Sequence, residues 1–132
     1  MQVTGLRREH GLIVVQARLW GRLGEGFIDL ALETAASETL IKPEVLREFG
    51  YRKEDAVRVT TITSAIGVER GYLLRVDRLW ALGFEVSDHV VHAHELPAQY
   101  DIDGLLGLRF LDRFDYTIRS RRNEIAVELA AP

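Results

Sequence analysis

The sequence predicts a mostly β protein, and three observations carry that expectation. Stretches of alternating apolar and polar residues recur along most of the chain, β-branched and aromatic residues concentrate in them, and glycine-bearing turns separate them. With 132 residues, 47% of them apolar, residues 1–132 amount to one domain with enough apolar matter for a proper core. Helical signals are confined to one or two short segments, so the expected architecture is a closed or partly closed β-barrel bearing one or two short helices.

Taken in order, Leu12 to Trp20 is rich in β-branched and aromatic residues and reads as a strand. The glycines of Gly21-Arg22-Leu23-Gly24-Glu25-Gly26 suit a hairpin turn that pairs this strand with Phe27 to Leu32. Pro43 fits the first turn of a short helix on which Val45, Leu46 and Phe49 share a face, and Gly50 is a natural left-handed stop. Residues 57 to 80 read as a long hairpin, with Val57, Val59, Thr61 and Thr63 on one face of its first arm and Tyr72, Leu74 and Val76 on one face of its second. Ser64-Ala65-Ile66-Gly67 forms its small-residue tip. Two further strands are expected at Phe84 to Val86 and His89 to His94. The apolar segment Gly104-Leu105-Leu106-Gly107-Leu108-Arg109-Phe110-Leu111 should be buried and run into a turn of helix. Phe114, Tyr116 and Ile118, a turn over Ser120 to Asn123, and Ile125, Val127 and Leu129 make a closing hairpin.

Composition excludes several classes of function. A formal charge of −3 and a pI near 5.8 give no electrostatic reason to expect nucleic acid or an anionic membrane as partner. Without cysteines, thiolate chemistry and disulfides are out, and the redox compartment stays open. The first ten residues lack the basic-then-apolar order of a secretion signal, and no apolar run approaches the roughly 20 residues that cross a bilayer. A soluble, cytoplasmic protein is the expectation.

The chemically suggestive stretch is Leu30-Ala31-Leu32-Glu33-Thr34-Ala35-Ala36-Ser37-Glu38-Thr39-Leu40-Ile41. Ala, Leu and Glu favour helix, yet Ile28, Leu30 and Leu32 alternate as in a strand, and small and hydroxylated residues follow. A strand entering a tight loop would hold the Glu33 carboxylate at its end, where chemistry can occur. The plainer alternative is a surface glutamate on an Ala-rich helix.

The order of these features resembles the single-domain retropepsin-like aspartic proteases, particularly their bacterial members, over roughly residues 10 to 129. Two motifs carry the resemblance. Glu33 to Ser37 match the family's Asp-Thr/Ser-Gly-Ala-Ser/Thr loop, and Leu105-Leu106-Gly107 match its segment of paired apolar residues before glycine. The resemblance implies a homodimer in which each chain contributes one catalytic carboxylate, here Glu33. Two such groups share a proton because like charges about 3 Å apart cannot both ionise, and the water between them attacks the peptide carbonyl. It also implies that Thr34 links the two loops across the dimer axis and that Ala35 completes the catalytic turn. Ala36, Ser37 and the tip Ser64, Ala65, Ile66 and Gly67 would contact a peptide or protein substrate, the tip acting as a flap. No cofactor is implied.

The departures are Glu33, where the family has Asp, and Ala35, where it has Gly. The extra methylene adds about 1.5 Å of reach, and displacing a catalytic group by about 1 Å can cost about a hundredfold in rate. Ala35 makes it harder for the backbone to retract, since its methyl group disfavours a positive φ. A weakened peptidase is therefore expected, the alternative being an inactive member that binds peptide or only dimerises. If the resemblance is set aside, a small β-barrel binding domain remains.

Other clusters have plainer readings. His92 and His94 share a strand face, but His89 points the other way, so no metal site is expected. Arg119, Arg121 and Arg122 suit a solvated turn, Asp101 and Asp103 suit turn chemistry before Gly104, and Trp20 and Trp80 suit a core or an interface.

Overall fold

The computed structural model describes residues 1–64 and 67–129, with residues 62–64 and 67–69 described as backbone alone. Strands β1 (Gln2–Gly5), β2 (Arg7–Glu9), β3 (Leu12–Gly21), β4 (Gly24–Leu32) and β5 (Thr39–Ile41) precede helix α1 (Pro43–Glu48) and a 3-10 turn at Lys53–Asp55. Strands β6 (Arg58–Ser64), β7 (Gly67–Ala81), β8 (Phe84–Ala93) and β9 (Gly104–Leu106) follow, then α2 (Leu108–Leu111), β10 (Phe114–Arg119), a 3-10 turn at Ser120–Arg122, and β11 (Glu124–Leu129).

The larger sheet runs β2-β3-β4-β9-β5-β8-β7-β6, and an additional pairing joins its second-last strand, β7, back to β3. That pairing, Ala17↔Ala81 to Trp20↔Arg78, closes the ring β3-β4-β9-β5-β8-β7, so the expected barrel is present and closed. Closure removes the open edges that these strands would otherwise present. The β4–β9 and β5–β8 contacts are parallel, and the other pairs are antiparallel. A separate small sheet, β1-β11-β10, contains the expected closing hairpin, Phe114↔Leu129 through Arg119↔Glu124.

The core follows from the alternation. Val15, Ala17 and Leu19 of β3, Ile28 and Leu30 of β4, and Tyr72, Leu74 and Val76 of β7 all point into the barrel. On α1, Val45 and Leu46 are buried and Pro43 occupies the first turn, while Gly50 takes φ +91° as the expected stop. Tyr51 follows it into the core. Its hydroxyl donates to the Trp20 carbonyl and accepts the Asp77 N–H at 2.8 Å, which satisfies the one polar atom on a buried ring. A smaller cluster, Val14, Ala31 and Ile102, lies on the other face of β3 and β4.

Several expectations need correction. The first hairpin turns on Arg22 and Leu23 alone, since Gly21 pairs with Gly24; the glycines belong to the strand ends. Phe84 to Val86 and His89 to His94 are one strand, because Asp88 absorbs a positive φ of 51° without shifting the register with β7. The strands β1, β2 and β5 were not expected. Val57, Val59 and Thr61 face solvent, since β6 pairs only with β7 and lies outside the closed ring. Neither tryptophan is in the core. Trp20 lies on the outer face between the guanidinium groups of Arg18 at 4.9 Å and Arg78 at 4.5 Å, and Trp80 is paired with Arg18 across the strands.

Candidate active site

Strand β4 ends at Leu32 beside Leu106 of β9, and the Glu33 N–H donates to the Leu106 carbonyl at 3.0 Å. The alternating reading of this stretch therefore holds. Residues 33–38 form a loop rather than a helix. The chain turns back at Ala36, whose N–H reaches the Glu33 carbonyl at 3.3 Å, and re-enters the barrel as β5.

The segment after β9 passes directly under this loop. The Gly107 N–H donates to Thr39 Oγ1 at 3.3 Å. The first free N–H groups of α2, those of Leu108 and Arg109, donate to the carbonyls of Ala36 and Ser37, each at 2.8 Å. The loop thus supplies acceptors that a helix start would otherwise lack. A Cβ at position 107 would stand 2.2 Å from the Glu38 carbonyl oxygen and 2.8 Å from that of Ala36; glycine is required here for space. The two motifs singled out in the sequence are therefore one structural unit.

A charged clasp completes the unit. The Arg109 guanidinium donates through Nη2 to Glu38 Oε1 at 2.6 Å and through Nε to Oε2, a two-pronged contact that holds the Arg109 proton more firmly than usual, through the hydrogen bond first and the charge second. Sequence reasoning missed this pair, which is 71 residues apart and has no local signal.

Glu33 is half-buried, and its Oε1 accepts the Ala35 N–H at 2.8 Å. The loop's own amide thus orients one carboxylate oxygen. Thr34 and Ala35 are exposed, and the Thr34 hydroxyl has no partner among the described residues. The non-glycine residues with positive φ among the described residues are His10, Leu82, Asp88 and Asn123. Ala35 is not one of them, so the backbone strain expected at that position is absent.

Ala36 and Ser37 line one side of a cleft of about 430 Å³ whose other walls include Arg58, Thr60 and His92. Thr60 Oγ1 lies 2.6 Å from His92 Nε2, and burial, with the neighbouring His94 ring, makes His92 harder to protonate against a weaker opposing pull from Glu38. Ser64 and Gly67 pair with each other at the end of the β6–β7 hairpin, while Ala65 and Ile66 lie outside the described residues. A larger hollow near α1, about 910 Å³ and bounded by Arg22, Arg47 and Asp55, includes no residue of the Glu33 loop.

The remaining candidates resolve simply. His89 is in the core with its ring edge-on to Phe110 at 5.8 Å, away from the His92–His94 face, and no group of three or more His, Asp or Glu among the described residues is arranged for a metal ion. Asp103 makes a long-range tie in place of the expected local turn contact: its Oδ2 accepts the Asp29 N–H at 2.7 Å, joining β4 to the approach to β9. No helix among the described residues is long and apolar enough to cross a membrane.

A closed barrel with an acidic loop at the end of one strand, underlain by a Leu-Leu-Gly segment, defines the retropepsin-like aspartic protease fold. A crystal structure of a retropepsin-like aspartic protease from Rickettsia conorii matches it with a TM-score of 0.68 at 20% sequence identity, over 95% of this chain and 87% of that one. The family model described as aspartyl protease matches residues 16–110, and the chain belongs to that family. No curated protein matches its sequence.

Proposed function

We propose that residues 1–132 act as a single peptidase domain within a two-fold homodimer, each chain supplying Glu33 to a shared cleft. The observation that carries this reading is the placement of Glu33: a half-buried carboxylate at a strand end, oriented by its own loop through the Ala35 N–H. Water activation by paired carboxylates needs two such groups, and the loop of one chain holds one at this position. A two-fold axis brings a loop against its own copy, and the exposed Thr34 and Ala35 suit that contact. Ala36 and Ser37, with the hairpin tip Ser64 to Gly67, would hold the peptide, and no cofactor or metal takes part.

Glutamate at position 33 leaves this peptidase slow. The carboxylate stands about 1.5 Å farther from the backbone than an aspartate would, a displacement worth about a hundredfold in rate. Ala35 contributes little to the loss, because it is exposed and does not need a positive φ. One observation favours the alternative of an inactive peptide-binding or dimerisation module: the same hydrogen bond that orients Glu33 engages it with its own loop.

A peptide-library digest compares the unmodified chain, Glu33→Gln, Glu33→Asp and the double variant Glu33→Asp with Ala35→Gly. Slow cleavage by the unmodified chain, none by Glu33→Gln, and a gain of about a hundredfold already in Glu33→Asp is expected. Equal cleavage by the unmodified chain and Glu33→Gln refutes the catalytic assignment. Activity only in the aspartate variants establishes the inactive module. Sedimentation showing monomer alone at tens of micromolar counts against the dimer.

A further inference from the structure

The cleft beside the Glu33 loop has an uneven charge balance. Its carboxylate, Glu38, is held in the two-pronged contact with Arg109, which is not among the cleft's lining residues. Its cation, Arg58, is exposed and has no ion-pair partner among the described residues. The remaining lining side chains are apolar or neutral: Leu40 and Leu73 give an apolar surface, and Thr60 and His92 give hydrogen-bonding groups.

The fold places these groups together deliberately in the mechanical sense. Leu73 on β7 pairs with His92 on β8 on one side and with Arg58 on β6 on the other, so the three form one cross-strand row. The His92 ring reaches over β7 to Thr60 because position 71, which pairs with Thr60, is glycine. A Cβ there would stand 2.7 Å from His92 Nε2 and 2.6 Å from the Ala93 carbonyl oxygen. Gly71 therefore permits the His92–Thr60 contact, and Arg58 stands in the same row beside these hydroxyl and imidazole groups, without an ion-pair partner among the described residues.

We infer that this cleft selects peptides carrying an acidic side chain, with Arg58 as the specificity-determining residue and the Thr60–His92 pair as its hydrogen-bonding neighbours. The inference rests on the peptide-cleft reading above and adds the substrate class. A carboxylate entering the cleft meets a guanidinium that has no competing anion among the described residues, while Glu38 is already paired with Arg109. A basic side chain would meet Arg58 with no free carboxylate among the residues lining this part of the cleft to offset it, and a neutral one would gain no ion pair.

The test is binding, so that it does not depend on turnover. Fluorescence anisotropy is measured on the unmodified chain with three peptide pools that are identical except for a fixed Glu, Gln or Lys. The Glu pool should bind about three- to fivefold more tightly than the Gln pool, the upper part of the range of an exposed ion pair, and the Lys pool most weakly. Arg58→Ala should erase the difference between the Glu and Gln pools while leaving Gln-pool affinity unchanged, and Arg58→Glu should invert the order in favour of Lys. Binding with one and the same ranking in all three proteins overturns the inference and leaves the peptide cleft standing. Failure of every pool to bind the unmodified chain and the Glu33→Asp variant alike overturns both.

Discussion

Replacing His89 should remove much of the acid sensitivity of this fold. His89 is 2% exposed, its Nε2 has no hydrogen-bond partner among the described residues, and its ring packs against Phe110 of α2. Burial foremost, then the charges of Arg113 and Arg109, push its pKa down from 6.5 to about 4, against a weaker opposing pull from Glu38. The folded state thus resists a proton that the unfolded chain accepts from pH 6.5 downward. Between pH 6.5 and 4 the unfolded chain binds more protons, so stability falls as pH falls through that window. At about 1.4 kcal/mol per unit, the loss attributable to His89 is on the order of 2 kcal/mol by pH 5 and 3 kcal/mol by pH 4. His92, also held below its ordinary value by burial first, adds a smaller loss of the same sign. Urea unfolding of the unmodified chain and of His89→Leu, at one protein concentration and at intervals from pH 7 to 4.5, isolates the difference. His89→Gln serves as a second, polar variant. Curves for unmodified and variant proteins that run parallel across the window would refute the reasoning. Because α2 also carries Arg109, the unmodified protein should loosen around Glu38 in the same range.

Other substitutions probe the supports of the site. Gly107→Ala drives a methyl group into two backbone carbonyls, which cannot move without breaking the loop, and should lower stability by about 3 kcal/mol or more in thermal melts. Tyr51→Phe strands the Trp20 carbonyl and the Asp77 N–H and should cost about 1–3 kcal/mol in chemical denaturation. Arg109→Ala breaks a half-exposed pair and should change stability by less than about 1 kcal/mol. The same change should slow cleavage by the Glu33→Asp variant, since the loop it clasps carries residue 33; kcat falling without a change in melting temperature is the expected signature.

Much of the architecture was legible from the chain alone because it rests on local rules. Period-two alternation located β3, β4, β6, β7, β10 and β11, and Pro43 with Gly50 bracketed α1. The same alternation, with small residues following it, placed Glu33 at a strand end in a loop. Leu105-Leu106-Gly107 read locally only as a buried apolar segment, and it was the resemblance to the family's motifs that made it the loop's counterpart. The family therefore followed from two local motifs in the right order.

Other features depend on contacts that no local window contains. β1, β2 and β5 are short strands defined by their partners, Val127 to Glu124 for β1 and the parallel neighbour Val91 to Ala93 for β5. Closure of the barrel is the β3–β7 pairing, which joins segments about sixty residues apart and turns alternation into an inside and an outside. Which face of β6 meets solvent, and that Trp20 lies against two arginines rather than in the core, follow only from that closure. The Glu38–Arg109 clasp and the reach of His92 over Gly71 to Thr60 are set by the same juxtaposition. Alternation specifies that a strand has two faces; only the packed structure decides which face is buried and which distant side chains come to share a site.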